Sequence, residues 1–287
     1  MITVGTFSCL VAAKGAVILT EPFNYNPVGD SLPAPYVESG STGVGEIAAD
    51  LSFPGLVTSG NAATSSDRFT TSERPLGQSF NTAGTNTTET FYMSYLVNVA
   101  NVASWGGNAM IGISLGGAGS DEGFYTGVVG NTADGQNNKD WGVIAGRPNT
   151  SSGSANRADI PANITAGTEV YFVLAKFEID TSGNYDTVPG GLRAWMSVYS
   201  TSDGLPTSEP LTWDAHATAD RGFPWTGPTT VLDTLTLDRG NSPVQAVWDE
   251  VKLGTTFADV TVIPEPASGV LALTACLLFL SRRSRRS

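Results

Sequence analysis

Thr90-Phe91-Tyr92-Met93-Ser94-Tyr95-Leu96-Val97-Asn98-Val99 decides how the rest of the chain is read. Its odd positions are Phe, Met, Tyr, Val and Val. Its even positions are Thr, Tyr, Ser, Leu and Asn. A period of two marks a half-buried β-strand, because successive side chains in a strand point to opposite faces. Val170 to Asp180 (VYFVLAKFEID) begins apolar on both faces. It then alternates, with Phe177 and Ile179 inward and Lys176, Glu178 and Asp180 outward. Leu192 to Ser200 puts Leu192, Ala194, Met196 and Val198 on one face, and Arg193, Trp195, Ser197 and Tyr199 on the other. Further strands are expected at 16–20, 46–53, 76–80, 108–115, 123–130, 140–145, 231–237 and 245–253. Turn-rich pieces separate them, such as Gly116-Gly117-Ala118-Gly119, Ala133-Asp134-Gly135 and Pro189-Gly190-Gly191. No long stretch of this region sustains a 3.6-residue period, and no repeat of fixed length appears. The predicted class is all-β, a two-sheet antiparallel jelly-roll sandwich.

Composition agrees with one such domain. The chain has 287 residues, 33 of them Gly and 16 Pro, with 40% hydrophobic and 15% charged residues. A formal charge of −12 argues against nucleic acid, since phosphate binding needs an excess of Lys and Arg. The charge is unevenly placed. Of the 15 basic residues, Lys14 and the terminal Arg282, Arg283, Arg285 and Arg286 lie outside residues 17–263. Of the 27 acidic residues only Glu265 does, so the body carries about −16. Cys9 and Cys276 sit in the two apolar end segments. The body therefore holds no disulfide, no cysteine zinc site and no thiol nucleophile.

The two ends read as addresses. Residues 2–13 (ITVGTFSCLVAA) form a short apolar run closing on Val11-Ala12-Ala13, which fits small-residue cleavage, although the usual basic n-region is missing. Residues 1–16 are read as an export signal, either truncated at its start or degenerate. The alternative is a buried first strand continuing into Ala16-Val17-Ile18-Leu19. At the other end, Pro264-Glu265-Pro266 is an extended, non-helical element, because each proline fixes its own φ and restrains the residue before it. Ala267 to Leu280 is uncharged throughout. As a helix it measures about 21 Å, so with flanking residues and local thinning it becomes a single transmembrane helix. The four arginines follow, and they hold the end in the cytoplasm.

This tail resembles the PEP-CTERM sorting signal of Gram-negative bacteria, which has the Pro-Glu-Pro triplet, one short hydrophobic helix and a terminal Arg cluster in that order. The resemblance covers about residues 262–287. It implies export, transient retention in the inner membrane, processing by an exosortase near the triplet, and delivery to the cell surface or an exopolysaccharide matrix. The catalytic cysteine in that scheme belongs to the exosortase, which leaves Cys276 a bland membrane residue. The domain plan is a signal at 1–16, a sandwich at 17–262 and a sorting tail at 263–287.

The body carries a second resemblance. Glu21-Pro22-Phe23-Asn24-Tyr25 with Val28-Gly29-Asp30-Ser31-Leu32 looks like the opening of bacterial concanavalin A-like, LamG-like surface proteins. The strand pair 170–180 and 192–200 is similar to their central hairpin. Trp248 to Val260 (WDEVKLGTTFADV) resembles their closing strand. The resemblance implies a jelly roll whose chain ends pair near each other. It implies no particular activity, because such folds host lectins, glycosidases, lyases and spacers.

Chemistry is sparse in the body. Glycosidases of this architecture carry E-x-D-x-E or E-x-D-x-x-E on one strand, and they need two carboxylates about 5–10 Å apart. Glu178-Ile179-Asp180 is followed by Ser182 and Gly183, so the third acid is missing. Asp249 and Glu250 are adjacent and on a regular strand would face opposite sides. His216, the only histidine, lies in a polar stretch and reads as a solvated loop residue. No nucleophile elbow and no phosphate-binding glycine loop is present. No metal site is assigned. Structural calcium is weighed at the oxygen-rich loops 134–140 and 180–186, with simple turn chemistry ahead of it.

The best ligand face is the outward row of Lys176, Glu178, Arg193, Trp195 and Tyr199, where aromatics stand beside hydrogen-bonding charges. The competing reading buries Trp195 and Tyr199 under a loop. The expectation is an exported surface or matrix protein whose body is structural or adhesive, contacts carbohydrate and does no catalysis. Its expected partners are an exosortase, the inner membrane and extracellular polysaccharide. The rival is a secreted polysaccharide-degrading hydrolase or lyase on the same fold.

Overall fold

The computed structural model describes residues 15–25, 32–39, 46–65, 70–81, 88–100, 110–116, 123–131, 138–145, 157–160, 169–180, 192–218, 231–239 and 245–261. Most of the expected export signal and the whole of the expected sorting tail lie outside them. Among the described residues no helix is long and apolar enough to cross a membrane.

The strands in chain order are β1 (Val17–Glu21), β2 (Val37–Ser39), β3 (Glu46–Ala48), β4 (Ala62–Ser65) and β5 (Thr70–Asn81). Then come β6 (Thr88–Ala100), β7 (Met110–Gly116), β8 (Gly123–Asn131), β9 (Asn138–Ala145) and β10 (Arg157–Ile160). The last are β11 (Val170–Asp180), β12 (Leu192–Tyr199), β13 (Ala215–Thr218), β14 (Val231–Arg239) and β15 (Gln245–Gly254), followed by the single-turn helix α1 (Phe257–Thr261). One sheet runs β13-β12-β11-β6-β15-β4-β3, with β1 also paired to β15. The other runs β10-β9-β8-β7-β14-β5-β2. Every pairing is antiparallel. This is the all-β sandwich that alternation predicts, with strand neighbours distant in sequence as in a jelly roll.

The inward faces meet in one core. Phe91 and Phe177 of the first sheet close on Phe124 of the second, with ring centroids 5.8 Å and 4.7 Å from it. Trp141 of β9 packs edge-on against Tyr171 of β11 at 5.2 Å. Offset and edge contacts of this kind add to the burial of the rings. A polar link crosses the core where the Tyr95 hydroxyl donates to the Thr126 carbonyl at 3.1 Å. The inward register is the predicted one: Phe91, Met93, Tyr95, Val97 and Val99 all belong to this cluster.

The chain ends of the sandwich pair with each other. β1 lies against Val251–Gly254 of β15, and β4 lies against Ala246–Trp248. The two short strands therefore share one edge of β15, end to end, while β6 holds the other edge. The Ala16 amide donates to the Thr255 hydroxyl at 2.9 Å, and the Thr255 amide donates back to the Ala16 carbonyl at 3.1 Å.

Between the β1 and β4 pairings, β15 bulges. Its register against β6 shifts between Asp249 and Lys252, and Glu250 has φ of 49°. A bulge breaks the strict alternation of a strand. The expectation that Asp249 and Glu250 face opposite sides is thereby corrected: both are buried, and both bind the segment after β3. Asp249 accepts the Leu51 amide at 2.9 Å, and Glu250 accepts the Ser59 amide at 2.8 Å. For the same reason the expected strand 46–53 ends at Ala48. The chain is drawn away to these carboxyls and turns at Phe53–Leu56, where the Leu56 amide donates to the Phe53 carbonyl.

That segment caps part of the outer face of the first sheet. Phe53, Leu51 and Leu56 pack there with Leu205 and Trp213 from the β12–β13 connection. Phe257 and Val260 of α1 complete the cap. Beneath them lie Leu96, Phe172 and Leu174, outward residues that are nonetheless fully buried. β2, β4, β10 and β13 were not foreseen, being only three or four residues long.

Candidate functional site

Next to the cap, and sharing the buried Tyr92 with it, the outer face of the first sheet carries two rows of polar and aromatic side chains. Strand register builds the first row. Lys176 of β11 is paired with Tyr92 of β6 on one side and Trp195 of β12 on the other, and Trp195 is paired with His216 of β13. The second row is Thr90, Glu178, Arg193 and Thr218 by the same registers. Directly opposed residues on one face sit about 4.5–5.5 Å apart at Cβ, so each row is a line of touching side chains.

Contacts knit the rows into a network. The Lys176 ammonium lies 3.3 Å from Glu178 and 3.2 Å from Glu209, which reaches in from the β12–β13 connection. Arg193 donates to the other Glu178 oxygen at 3.4 Å. The Tyr92 hydroxyl donates to Glu209 at 2.9 Å. Lys176 also stands 5.9 Å from the centre of the Tyr92 ring and 5.2 Å from that of Trp195, within cation–π range. His216 stacks on Trp195 with centroids 4.7 Å apart and planes 6° from parallel. β11 and β13 flank β12 on opposite sides, so Lys176 and His216 cover opposite faces of the indole.

Four of the five predicted residues thus come together: Lys176, Glu178, Arg193 and Trp195. Tyr199 does not join them. It is half-buried beside the cap, its ring tilted against Phe172 at 6.1 Å. The residues missed are Tyr92, Glu209 and His216. His216, read as a solvated loop residue, is indeed exposed but stands on strand β13 against Trp195. Its stretch, Ala215-His216-Ala217-Thr218, does alternate, and that was the signal available.

Electrostatics sets the protonation of the strip. Burial, then the positive charge of Arg193, holds His216 below its ordinary 6.5, with Glu178 opposing. His216 is therefore neutral at pH 7. Burial pushes the Tyr92 hydroxyl well above its ordinary 10, and the Glu209 hydrogen bond and the charges of Glu209 and Glu178 push it further. Tyr92 keeps its proton at neutral pH and is a poor base.

Two other clusters of acids are structural. Glu21 is 2% exposed and accepts from the Phe23 amide, the Tyr25 hydroxyl and the Tyr36 hydroxyl, and Arg74 pairs with it. The Glu-x-Phe-x-Tyr opening is thus a carboxylate gripping its own next turn, with Phe23 at φ of 49° and fully buried. At the β15 bulge, Asp249 shares a hydrogen bond with Asp50. Burial and that bond push its carboxyl from 3.8 to about 8, against the Leu51 and Glu250 amides that lower it. Glu250 is also raised, chiefly by burial.

Of the loops weighed for calcium, residues 134–137 and 181–186 lie outside the described residues. Among the described residues no group of three or more His, Cys, Asp or Glu is placed to hold a metal. Pro264, Glu265, Pro266, Arg282, Arg283, Arg285 and Arg286 lie outside them too.

No protein-family profile matches the chain, and no curated protein matches it. Among solved structures it is similar to the T. cruzi calreticulin globular domain, with 11% identity and a TM-score of 0.47, over 94% of this chain and 100% of that one. It is similar to peanut lectin with 11% identity and a TM-score of 0.42, over 79% of this chain and 95% of that one. The binding domain of botulinum neurotoxin DC in complex with SialylT gives 11% identity and a TM-score of 0.38, over 77% of this chain but 42% of that one. The fold assignment itself rests on the strand order and register described above.

Proposed function

We propose that this is an exported bacterial protein of the cell surface or exopolysaccharide matrix, handed to an exosortase by its C-terminal tail. Its sandwich is a structural or adhesive module that touches carbohydrate through the Tyr92–Glu209 strip and does no chemistry there. One observation carries the sorting half: Pro264-Glu265-Pro266, an uncharged run and a terminal Arg cluster follow one another in that order. The strip supports the binding half. It sets charged and aromatic groups beside the cap, with Arg193 42% exposed and the Tyr92 ring buried at 7%.

The rival hydrolase or lyase draws on one specific arrangement, since Glu178, Glu209 and Tyr92 surround Lys176. Three features weigh against it. Tyr92 holds its proton, Lys176 is engaged by two carboxylates, and Glu178 is shared by two cations. Tyr92, the base a lyase would need, is held in its protonated form, and the charged groups around it are paired with one another.

The test follows processing and activity in one strain. With an exosortase present, the wild-type chain should be shortened near Pro264 and recovered from the surface or matrix, whereas Glu265→Ala should stay full-length in the membrane. Both proteins should leave polysaccharides uncut, assayed as reducing ends and unsaturated products. Unchanged processing of the variant would end the sorting reading, and turnover would end the non-catalytic one.

A further inference from the structure

We infer that the ligand of the strip is an uncharged, polyhydroxylated polysaccharide, held by hydrogen bonding to its hydroxyl groups and not by stacking of sugar rings on Trp195. This rests on the proposed reading of the strip as a carbohydrate face, and it names the chemical class that face accepts.

Charge balance makes the first argument. Lys176 lies 3.2 Å and 3.3 Å from carboxylates, and Arg193 lies 3.4 Å from one. The two cations meet two carboxylates, Glu178 and Glu209, and His216 is neutral. Among the described residues the strip therefore has no net charge to offer a uronate, a sulfate or an amine. An anionic chain would also approach a body carrying about −16, whose repulsion reaches roughly a Debye length, about 8–10 Å, from the surface. A cationic chain would have to compete with Lys176 and Arg193 for Glu178, or with Lys176 and the Tyr92 hydroxyl for Glu209.

Ring geometry makes the second argument. A sugar stacks on an aromatic by laying its C–H groups over an open face. Both faces of the Trp195 indole are occupied, one by His216 at 4.7 Å and the other by Lys176 at 5.2 Å. The groups left for a ligand are the guanidinium of Arg193, the carboxylates of Glu178 and Glu209, and the His216 ring. Sugar hydroxyls, which both donate and accept, can join such a network without breaking its charge pairing.

The experiment uses the full chain, purified in a polyoxyethylene detergent so that no alkyl glycoside competes. Retention is measured on an insoluble neutral glucan, on an alginate gel and on chitosan, at low and high salt, for wild type, Arg193→Ala, Glu178→Gln and Trp195→Phe. The expected result is retention on the glucan alone, changed less than about twofold by salt. Arg193→Ala and Glu178→Gln should each weaken it about tenfold, the effect of losing one charge-assisted hydrogen bond. Trp195→Phe, which keeps an upright ring between His216 and Lys176, should change it little. Circular dichroism checks that the variants fold. Retention on alginate or chitosan that collapses with salt would overturn the neutral-ligand inference while keeping a carbohydrate face. A large loss in Trp195→Phe alone would overturn the hydrogen-bonding mode. No retention on any polymer would sink the reading of the strip itself.

Discussion

Asp249 is fully buried and hydrogen-bonds to Asp50, and its burial makes stability depend on pH in an unusual direction. Its carboxyl titrates near 8 in the folded chain and near 3.8 when exposed. Between those values the folded chain keeps a proton that the unfolded chain has released, so folding takes up protons. The contribution is fully present below about pH 4 and is lost as pH rises through 8. The unfolding midpoint should therefore be lower at pH 9 than at pH 6. Asp249→Asn should flatten that slope, at the cost of one backbone acceptor, because an amide cannot receive both the Leu51 and the Glu250 N–H. Urea unfolding across pH 5–9 reads both effects; an unchanged slope in the variant would place the titrating proton elsewhere.

At the scale of elements, the cap explains why one sheet face has two characters. The segment after β3 is tied to the β15 bulge by two hydrogen bonds from its backbone amides to the Asp249 and Glu250 carboxyls, and it places Phe53 against Phe172 at 5.9 Å. Gly60, in the same segment, has φ of 99°, and a Cβ there would collide with the Pro22 carbonyl, so only glycine lets the chain pass. Phe53 is 3% exposed. Phe53→Ala should cost about 3–5 kcal/mol of stability, the usual range for emptying a buried phenylalanine site. It should also raise hydrogen exchange in α1, which shares that cluster. A loss below about 1 kcal/mol, as for an ordinary surface substitution, would mean the cap is not packed as described.

At the scale of the molecule, the sandwich is closed by its own ends. β1 supplies the edge partner of Val251–Gly254, and Glu21 at its end anchors Tyr25, Tyr36 and Arg74. Removing residues 1–21 strips both and should abolish cooperative thermal unfolding. Removing residues 263–287 breaks none of the contacts described above and should leave the midpoint of the body unchanged. Calorimetry of the two truncations separates a closing strand from a dispensable leader. A cooperative transition surviving the first truncation would show that residues 17–21 are not integral to the sheet.

Much of this was legible in the sequence because it depends on local alternation. A strand's two faces follow from side-chain parity alone, so the inward rows of β6, β11 and β12 and the outward placing of Lys176, Glu178, Arg193 and Trp195 could be read from the string. Charge asymmetry and the order of features in the tail are likewise properties of the string. The tertiary structure decided the rest. Trp195 and Tyr199 share one strand and one face, yet Trp195 stands in the open strip and Tyr199 lies beside the cap. The difference comes from residues more than a hundred positions away, Leu51, Phe53 and Leu56, brought there by carboxyls on β15. Register brought Tyr92 and His216 into line with Lys176 and Trp195, and the β12–β13 connection delivered Glu209. Parity depends only on neighbours in the chain, whereas cover and register depend on which distant segments the folded backbone brings alongside.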